Sequence, residues 1–326
     1  MVRTDTHVFE TQFYSTQECE ELDALSRLNA WEAEYRQLGP GRFQADFSLY
    51  ASPELRITQH YCNQEMAAFG CPPPGHVAFL LVQGPDDNVR CQGSLLGPRD
   101  AHLFSHHQES FVRTPVDFAY FVVTIPLSVL RRSQSALAGE SSNCFTDSTG
   151  KISLPEGFKK NLLLQAHKLL QSAQRLEVQH SERPWLIEAQ AYFIASLTQA
   201  LVHPQKIDSG ARGRNNRISN VAKARDFIEV NLGAPIAVQT IAREAGASLR
   251  TLETAFRETF DLSIVQYIKH RRLNAVRHEL LVSKDPEIRI KDMARNNGLF
   301  HHGQFAGDYR ALFHESPSQT LNSRSA

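Results

Sequence analysis

Residues 290–321 read IKDMARNNGLFHHGQFAGDYRALFHESPSQTL, and their meaning emerges when they are laid over residues 241–267, IAREAGASLRTLETAFRETFDLSIVQY. Ala242 and Gly246 recur as Ala294 and Gly298, a shift of 52. Leu252, Phe256, Arg257, Phe260, Ser263 and Gln266 recur as Phe305, Tyr309, Arg310, Phe313, Ser316 and Gln319, a shift of 53. One extra residue therefore follows the second glycine. A repeat of this kind is one supersecondary unit used twice.

The unit reads as a helix-turn-helix. Ile241, Ala242 and Ala245 fall at helical spacing before Gly246, whose left-handed freedom suits a tight helix–helix turn. Ser248 is placed to cap a second helix in which Leu249, Leu252, Phe256 and Phe260 make a buried stripe. The opposite face offers Arg250, Thr251, Glu253, Thr254 and Arg257 to solvent or to a major groove. The corresponding face of the second unit holds His301, His302, Gly303, Gln304, Ala306 and Gly307, with Arg310 one turn on. Arg250 and Glu253 can address guanine and cytosine edges; Arg257 and Arg310 are better placed for phosphates. Ser263–Gln266 and Ser316–Gln319 read as capping boxes, the latter with Pro317 at the first helical position. A helix from Ile264 to Leu281 joins the units. At about 27 Å it approaches one turn of B-DNA, so both second helices can face one side of a duplex.

Residues 218–322 resemble the DNA-binding domain of the AraC/XylS family of bacterial transcription regulators. The likeness rests on Ile241-Ala242 to Gly246, Ser248 to Leu252 to Phe256, and Arg272-Leu273 to Arg277. In the second unit it rests on Ala294 to Gly298, Gly303-Gln304-Phe305-Ala306 to Tyr309-Arg310, Phe313 and Ser316-Pro317. The family usually has glycine where Asp261 and His314 stand, and both residues tolerate left-handed geometry. A basic or polar residue is usual at the place of Gly307. The resemblance implies double-stranded DNA as partner and activation by contact with RNA polymerase.

Charge divides the chain. Residues 206–326 hold 19 Lys and Arg against 13 Asp and Glu, while residues 1–205 hold 16 against 22. A basic C-terminal part suits phosphate contact, and an acidic N-terminal part argues against that role there. Cys19, Cys62, Cys71, Cys91 and Cys144 are odd in number and scattered, as expected of free thiols in a reducing cytosol. With no leader and no long apolar run, a cytoplasmic protein away from the membrane is expected.

The remaining 1–205 read as an effector-sensing and dimerisation domain. A helix is predicted over Gln17–Asn29, then β-rich runs at Phe43–Ala51, Leu55–Cys62, His76–Val82, Val89–Leu95, Ala101–Ser105 and Val116–Ile125, separated by turn-formers such as 84–88. Such spacing suggests an antiparallel sandwich or barrel, and the family resemblance implies a cupin-like β-barrel over about 43–126. Trp31 to Tyr35 and Gly39-Pro40-Gly41-Arg42-Phe43 are similar to the subgroup that contains the bacterial ethanolamine-utilisation regulator. Phe43, Ala45, Phe47 and Leu49, and Phe118, Tyr120 and Val122, alternate as core stripes around a place for an effector.

His102, His106, His107 and Glu109 invite a metal reading. Adjacent His106 and His107 would point to opposite faces of a strand, so a polar loop after Phe104 is the better account. No catalytic constellation, metal site or cofactor is expected. Leu154–Val178 and Pro184–Val202 read as a helical pair over about 154–202, with an apolar edge available to a second subunit. Residues 206–217 read as a polar, basic linker in which Arg212, Arg214 and Arg217 can brush phosphates. Val221, Ala224, Ile228 and Leu232 then support the first unit, closed by Gly233.

The expected protein is α+β: an N-terminal cupin-like β-barrel with a helical pair, then an all-α domain, 218–326, of two helix-turn-helix units joined by a long helix. Its expected role is a homodimeric activator answering a small-molecule effector of unknown identity. The alternatives are a DNA-binding regulator controlled by protein partners and a metal-dependent cupin enzyme fused to a DNA-binding domain.

Overall fold

Short runs of alternating residues build the N-terminal half. The computed structural model of the chain describes residues 9–83, 89–105, 109–138, 150–175, 183–202, 212–283 and 289–323. In chain order these are β1 (Glu10–Thr16), α1 (Glu21–Leu28), β2 (Glu32–Gln37), β3 (Ala45–Ala51), β4 (Arg56–Cys62), β5 (Met66–Cys71), β6 (His76–Gln83), β7 (Arg90–Cys91), β8 (Ser94–Leu95), β9 (Asp100–Ser105), β10 (Ser110–Thr114), β11 (Phe118–Pro126), α2 (Leu127–Ala138), β12 (Gly150–Ser153), α3 (Phe158–Arg175) and α4 (Arg183–Val202). Seven strands form one sheet in the order β1-β3-β4-β11-β6-β9-β12, and five form another, β2-β5-β10-β7-β8.

The larger sheet is buried on both faces. Tyr50, Ile57, Phe79, Phe121 and Val123 pack beneath Leu162 and Ala166 of α3 and Phe193 and Leu197 of α4. Ala45, Leu80, Phe104, Phe118 and Tyr120 on the other face meet Trp31, Tyr35, Met66 and Val112 across the smaller sheet. Double burial explains why β6 reads as a nearly continuous apolar run and why every residue of β9 is buried. A buried knot fastens α4 to the sheet: Tyr50 and Ser52 donate to Gln190 Oε1 at 2.9 and 2.5 Å.

The closed barrel expected over 43–126 is not what forms. Among the described residues no strand pairs one sheet with the other, so the strands make an open sandwich. Five strands escaped sequence reading: β1 and β12 at the two edges of the larger sheet, and β2, β5 and β10 of the smaller one. Glu32–Gln37 is rich in charge and Met66–Cys71 in small residues, so neither carries a strong apolar signal. The run Val89–Leu95 is a tight hairpin, β7 to β8, because Gln92 and Gly93 adopt φ of 50° and 69°. The turn 84–88 and Cys144 lie outside the described residues.

The C-terminal half is helical: α5 (Arg212–Val230), α6 (Val238–Glu244), α7 (Leu249–Phe260), α8 (Ile264–Val282), α9 (Ile290–Asn296), α10 (His302–Phe313) and α11 (Pro317–Ser323). α5 begins inside the stretch read as linker, so Arg212, Arg214 and Arg217 stand on a helix. Polar residues and one Gly213 lower helix propensity only modestly, and lack of apolar periodicity does not exclude a helix end. Residues 203–211 lie outside the described residues. Val221, Ala224, Ile228, Ile241, Leu252, Phe256 and Phe260 form one core, and Leu273, Val276, Met293, Phe305, Tyr309 and Phe313 the other.

The halves touch along the smaller sheet. Phe69 of β5 and Phe111 of β10 pack on Phe260 of α7, with ring centroids 5.9 and 5.0 Å apart. Asn274 of α8 donates to Gln37 O at 3.2 Å, and the Gly41 N–H donates to Leu312 O of α10 at 2.8 Å. Arg113 approaches Asp261 at 3.5 Å, and Arg225 of α5 pairs with Glu109 at 2.8 Å.

Candidate nucleic-acid interface

Each unit is built as its sequence demands. Gly246 and Gly298 turn the chain with φ of 70° and 77°. The Ser248 side chain accepts the Thr251 N–H at the start of α7, and Ser263 with Gln266 forms a full capping box on α8. Ser316 and Gln319 exchange the same pair of bonds before α11. Asp261 and His314 close α7 and α10 in left-handed geometry, φ 58° and 54°, as expected for glycine substitutes. α10 is the exception at its start: His301 caps it without a side-chain bond.

α8 holds the two units together with three arginines. Arg271 donates to Glu229 of α5 through Nε and Nη2 at 2.5 and 2.6 Å. Arg272 reaches three carbonyls, Leu232 and Ala234 of the first unit and Gly298 of the second, at 2.9, 2.7 and 3.1 Å. Arg277 pairs with Glu315 after α10. Burial pushes the Glu229 and Glu315 carboxyls up, but their hydrogen bonds and the facing guanidinium outweigh it and hold both below the usual range. These arginines serve as a brace: carboxylates match the charge of Arg271 and Arg277, and three carbonyls take up the N–H donors of Arg272.

The outer faces are what the brace presents. Arg250, Thr251, Thr254 and Arg257 of α7 are exposed and Glu253 is half-buried. On α10, Gly303, Gln304, Ala306, Gly307 and Arg310 are exposed, as is His301 before it; His302 opens the helix. Both faces lie away from the smaller sheet, which docks at the C-terminal ends of α7 and α10. Among the described residues Arg250, Arg257 and Arg310 form no ion pair, so their charge is available to an anion.

Local bonds narrow what some of these residues can offer. The Thr251 hydroxyl lies 2.8 Å from Ser248 Oγ, and Thr254 donates to Arg250 O at 2.9 Å. Ser248 is thus occupied as a cap, and the two threonines turn methyls outward. Leu249, read as part of the buried stripe, is exposed; Ala255 and Thr259 take up the packing instead. A helix of 3.6 residues per turn moves the stripe round by one position in this way.

Of the four residues weighed as metal ligands, the structure describes two, and these are engaged elsewhere. His102 is buried, its ring tilted on Phe104, and burial pushes its pKa down to about 3. Glu109 is engaged with Arg225, and His106 and His107 lie outside the described residues. Among the described residues no group of His, Cys, Asp and Glu could hold a metal ion. Inside the sandwich, His60 stacks on Tyr120 at 4.7 Å, and the cavity beside them measures about 40 Å³. Such a space holds a water or two, so the stripes read around an effector are packed core.

Comparison with known proteins agrees with the C-terminal reading. Residues 241–323 match the family model described as a helix-turn-helix domain. Over 101 residues the chain is 38% identical to XylDLEGF operon transcriptional activator 1 of Pseudomonas putida, a match covering 30% of each protein. The C-terminal third holds a helix-turn-helix domain similar to that of this activator. A probable thc operon regulatory protein of Rhodococcus erythropolis is 31% identical over 101 residues, 31% of this chain and 30% of that one. A solved structure, of a probable AraC family transcriptional regulator from Rhodopseudomonas palustris, shares 30% identity over 32% of this chain and 96% of its own, with a TM-score of 0.30. The chain thus spans about 30% of the length of each of these two curated relatives. These relatives are regulators by name, not enzymes. Among the described residues no helix is long and apolar enough to cross a membrane.

Proposed function

We propose that the chain is a cytoplasmic, sequence-specific regulator that reads double-stranded DNA with α7 and α10. One observation carries the reading: two helix-turn-helix units are braced across α8 with both outer faces open and their arginines unpaired. α8 spans 19 residues, about 28 Å, which suits two reading helices on successive major-groove segments. In this reading Arg250 and Glu253 address bases, Thr251 and Thr254 offer methyls to thymine, and Arg257 and Arg310 hold phosphates. His301, His302, Gly303 and Gln304 make the lesser contacts of the second helix, and Ser248 acts by fixing α7.

Relatives named as transcriptional activators favour activation, and the family resemblance gives contact with RNA polymerase as its route. The domain boundaries are 1–205, with barrel-like sandwich and helical pair, and 218–326, with the junction between them. The sandwich, whose likeness to the ethanolamine-utilisation subgroup we take as ancestry, acts as the responsive and dimerising part. For dimerisation, α4 offers Trp185 and Tyr192, 47% and 62% exposed, beside the stripe it buries on the sheet. A regulator controlled by protein partners is the second reading, favoured by the filled sandwich core.

The test is binding of the full chain to genomic fragments across a salt series. Affinity for a selected fragment should fall steeply with salt as Lys and Arg release counterions. Salt-independent binding, or none to any fragment, would sink the proposal.

A further inference from the structure

An opening of about 250 Å³ lies at the joint between domains, between the smaller sheet and α5. Phe69 and Phe111 wall it from the sheet, Val221 and Ala222 from α5, and Thr259 of the reading helix α7 also lines it. Two polar side chains meet in this apolar space. Gln92, 8% exposed, donates through Nε2 to Glu109 O at 2.8 Å, while its Oε1 has no partner. Arg225 lies 4.6 Å over the Phe69 ring and pairs with Glu109 and Asp226, both at 2.8 Å and both through Nη2. Its Nε and Nη1 carry further N–H donors.

We propose that this joint binds an uncharged molecule with an apolar body and an amide group. The buried Gln92 side chain turns its Oε1 toward the cavity to accept the amide N–H, and the amide carbonyl accepts from Arg225. Two carboxylates already balance Arg225, so a third anion would meet net repulsion; a neutral acceptor does not. The volume suits a body on the order of ten non-hydrogen atoms. Because the walls come from both domains, the ligand favours the docked arrangement over any other. Docking contacts reach the ends of both α7 and α10, so occupancy alters how the two helices meet DNA. That last step rests on the DNA-binding reading; the binding itself does not.

Benzamide is a probe of suitable size, and benzoate is its isosteric anion. With the full chain, ligand-observed NMR and calorimetry should give saturable benzamide binding at about millimolar Kd, with benzoate about tenfold weaker. Ala222→Leu fills the cavity from α5 and should weaken benzamide about tenfold at unchanged helical content. Gln92→Asn keeps a residue that tolerates left-handed backbone but withdraws the oxygen, and should weaken it too. Absence of saturable binding, equal binding of benzoate, or indifference to both variants overturns the site. In parallel, saturating benzamide should shift operator affinity about threefold or more. Retained benzamide binding with unchanged operator affinity overturns the coupling, whereas failure to bind DNA without benzamide counts against the DNA-binding reading alone.

Discussion

In the first unit α7 turns Arg250, Thr251, Glu253, Thr254 and Arg257 outward; in the second, α10 has Gly303, Gln304, Ala306, Gly307 and Arg310 at the matching places. The buried stripes correspond residue for residue, and the arginine one turn along is kept in both. What differs is the part that would meet base edges. A shared core fixes where each helix sits, while exposed side chains are free to differ because nothing packs on them. The second unit therefore reads as a holder of the backbone and the first as the reader. Close backbone approach at Gly303 and Gly307 is the opposing account.

The largest contrast should come from the brace. Glu229→Gln removes a paired, two-point partner from Arg271, and a cost of about 3 kcal/mol is expected in urea unfolding. Glu315→Gln, beside Arg277, should cost less, because Thr320 also shares that carboxylate at 2.5 Å and can still bond the amide. Both carboxyls are held below their ordinary 4.5 in the folded chain. Their contribution is thus fully present above about pH 4.5 and is lost as pH falls through the folded values. Each Gln variant should flatten that acid dependence; a larger loss at Glu315 would reverse the ranking.

Next come the turns. Gly246 and Gly298 share a left-handed backbone, but a Cβ at Gly246 meets nothing within 4 Å. At Gly298 it would lie 2.7 Å from the Arg272 guanidinium carbon and 2.8 Å from Leu232 O. Gly246→Ala should cost about 1 kcal/mol and Gly298→Ala roughly 2–3. Thermal unfolding of the two variants measures the difference, and equal losses would show that Arg272 yields freely.

Base readout is tested by Arg250→Ala and Gln304→Ala against a saturation scan of operator bases. Arg250→Ala should cost about 1–3 kcal/mol and relax specificity at one base position, with Gln304→Ala costing less. Stronger discrimination opposite α10 would refute the assignment of reader and holder.

The smallest effect is a gain. A Cβ at Gly307 meets nothing within 4 Å, and the residue is exposed in mid-helix. Gly307→Ala should stabilise the second unit by about 0.5–1 kcal/mol with little change in specificity. If operator affinity falls instead, the glycine serves close backbone approach.

The C-terminal domain was legible because its signals are local. Helical spacing, a glycine at each turn and capping boxes at Ser263 and Ser316 all act within a few residues, and the repeat states each of them twice. The outward placement of Arg250, Arg257 and Arg310 follows from the same period. Ser248 was legible as a cap, but what the hydroxyls of Thr251 and Thr254 do was not, since each could serve a neighbour or a base, and only the folded geometry chooses.

The N-terminal half shows the opposite case. Its strands over 45–62 could be read from alternation and the one over 76–83 from a short apolar run, but β2, β5 and β10 carry charge and small residues, and pairing partners far apart in sequence make them strands. Whether two such sheets close into a barrel depends on edge pairing, which no single strand encodes. The docking of Gln37 on Asn274, Gly41 on Leu312 and Phe69 on Phe260, and the joint cavity with Gln92 and Arg225, likewise belong to tertiary structure. The sequence by itself determined a twofold helix-turn-helix repeat with unequal outer faces, because periodicity and capping are short-range. Only the fold decided the open sandwich, the filled core and the arginine brace, because those rest on contacts between segments that the chain order keeps apart.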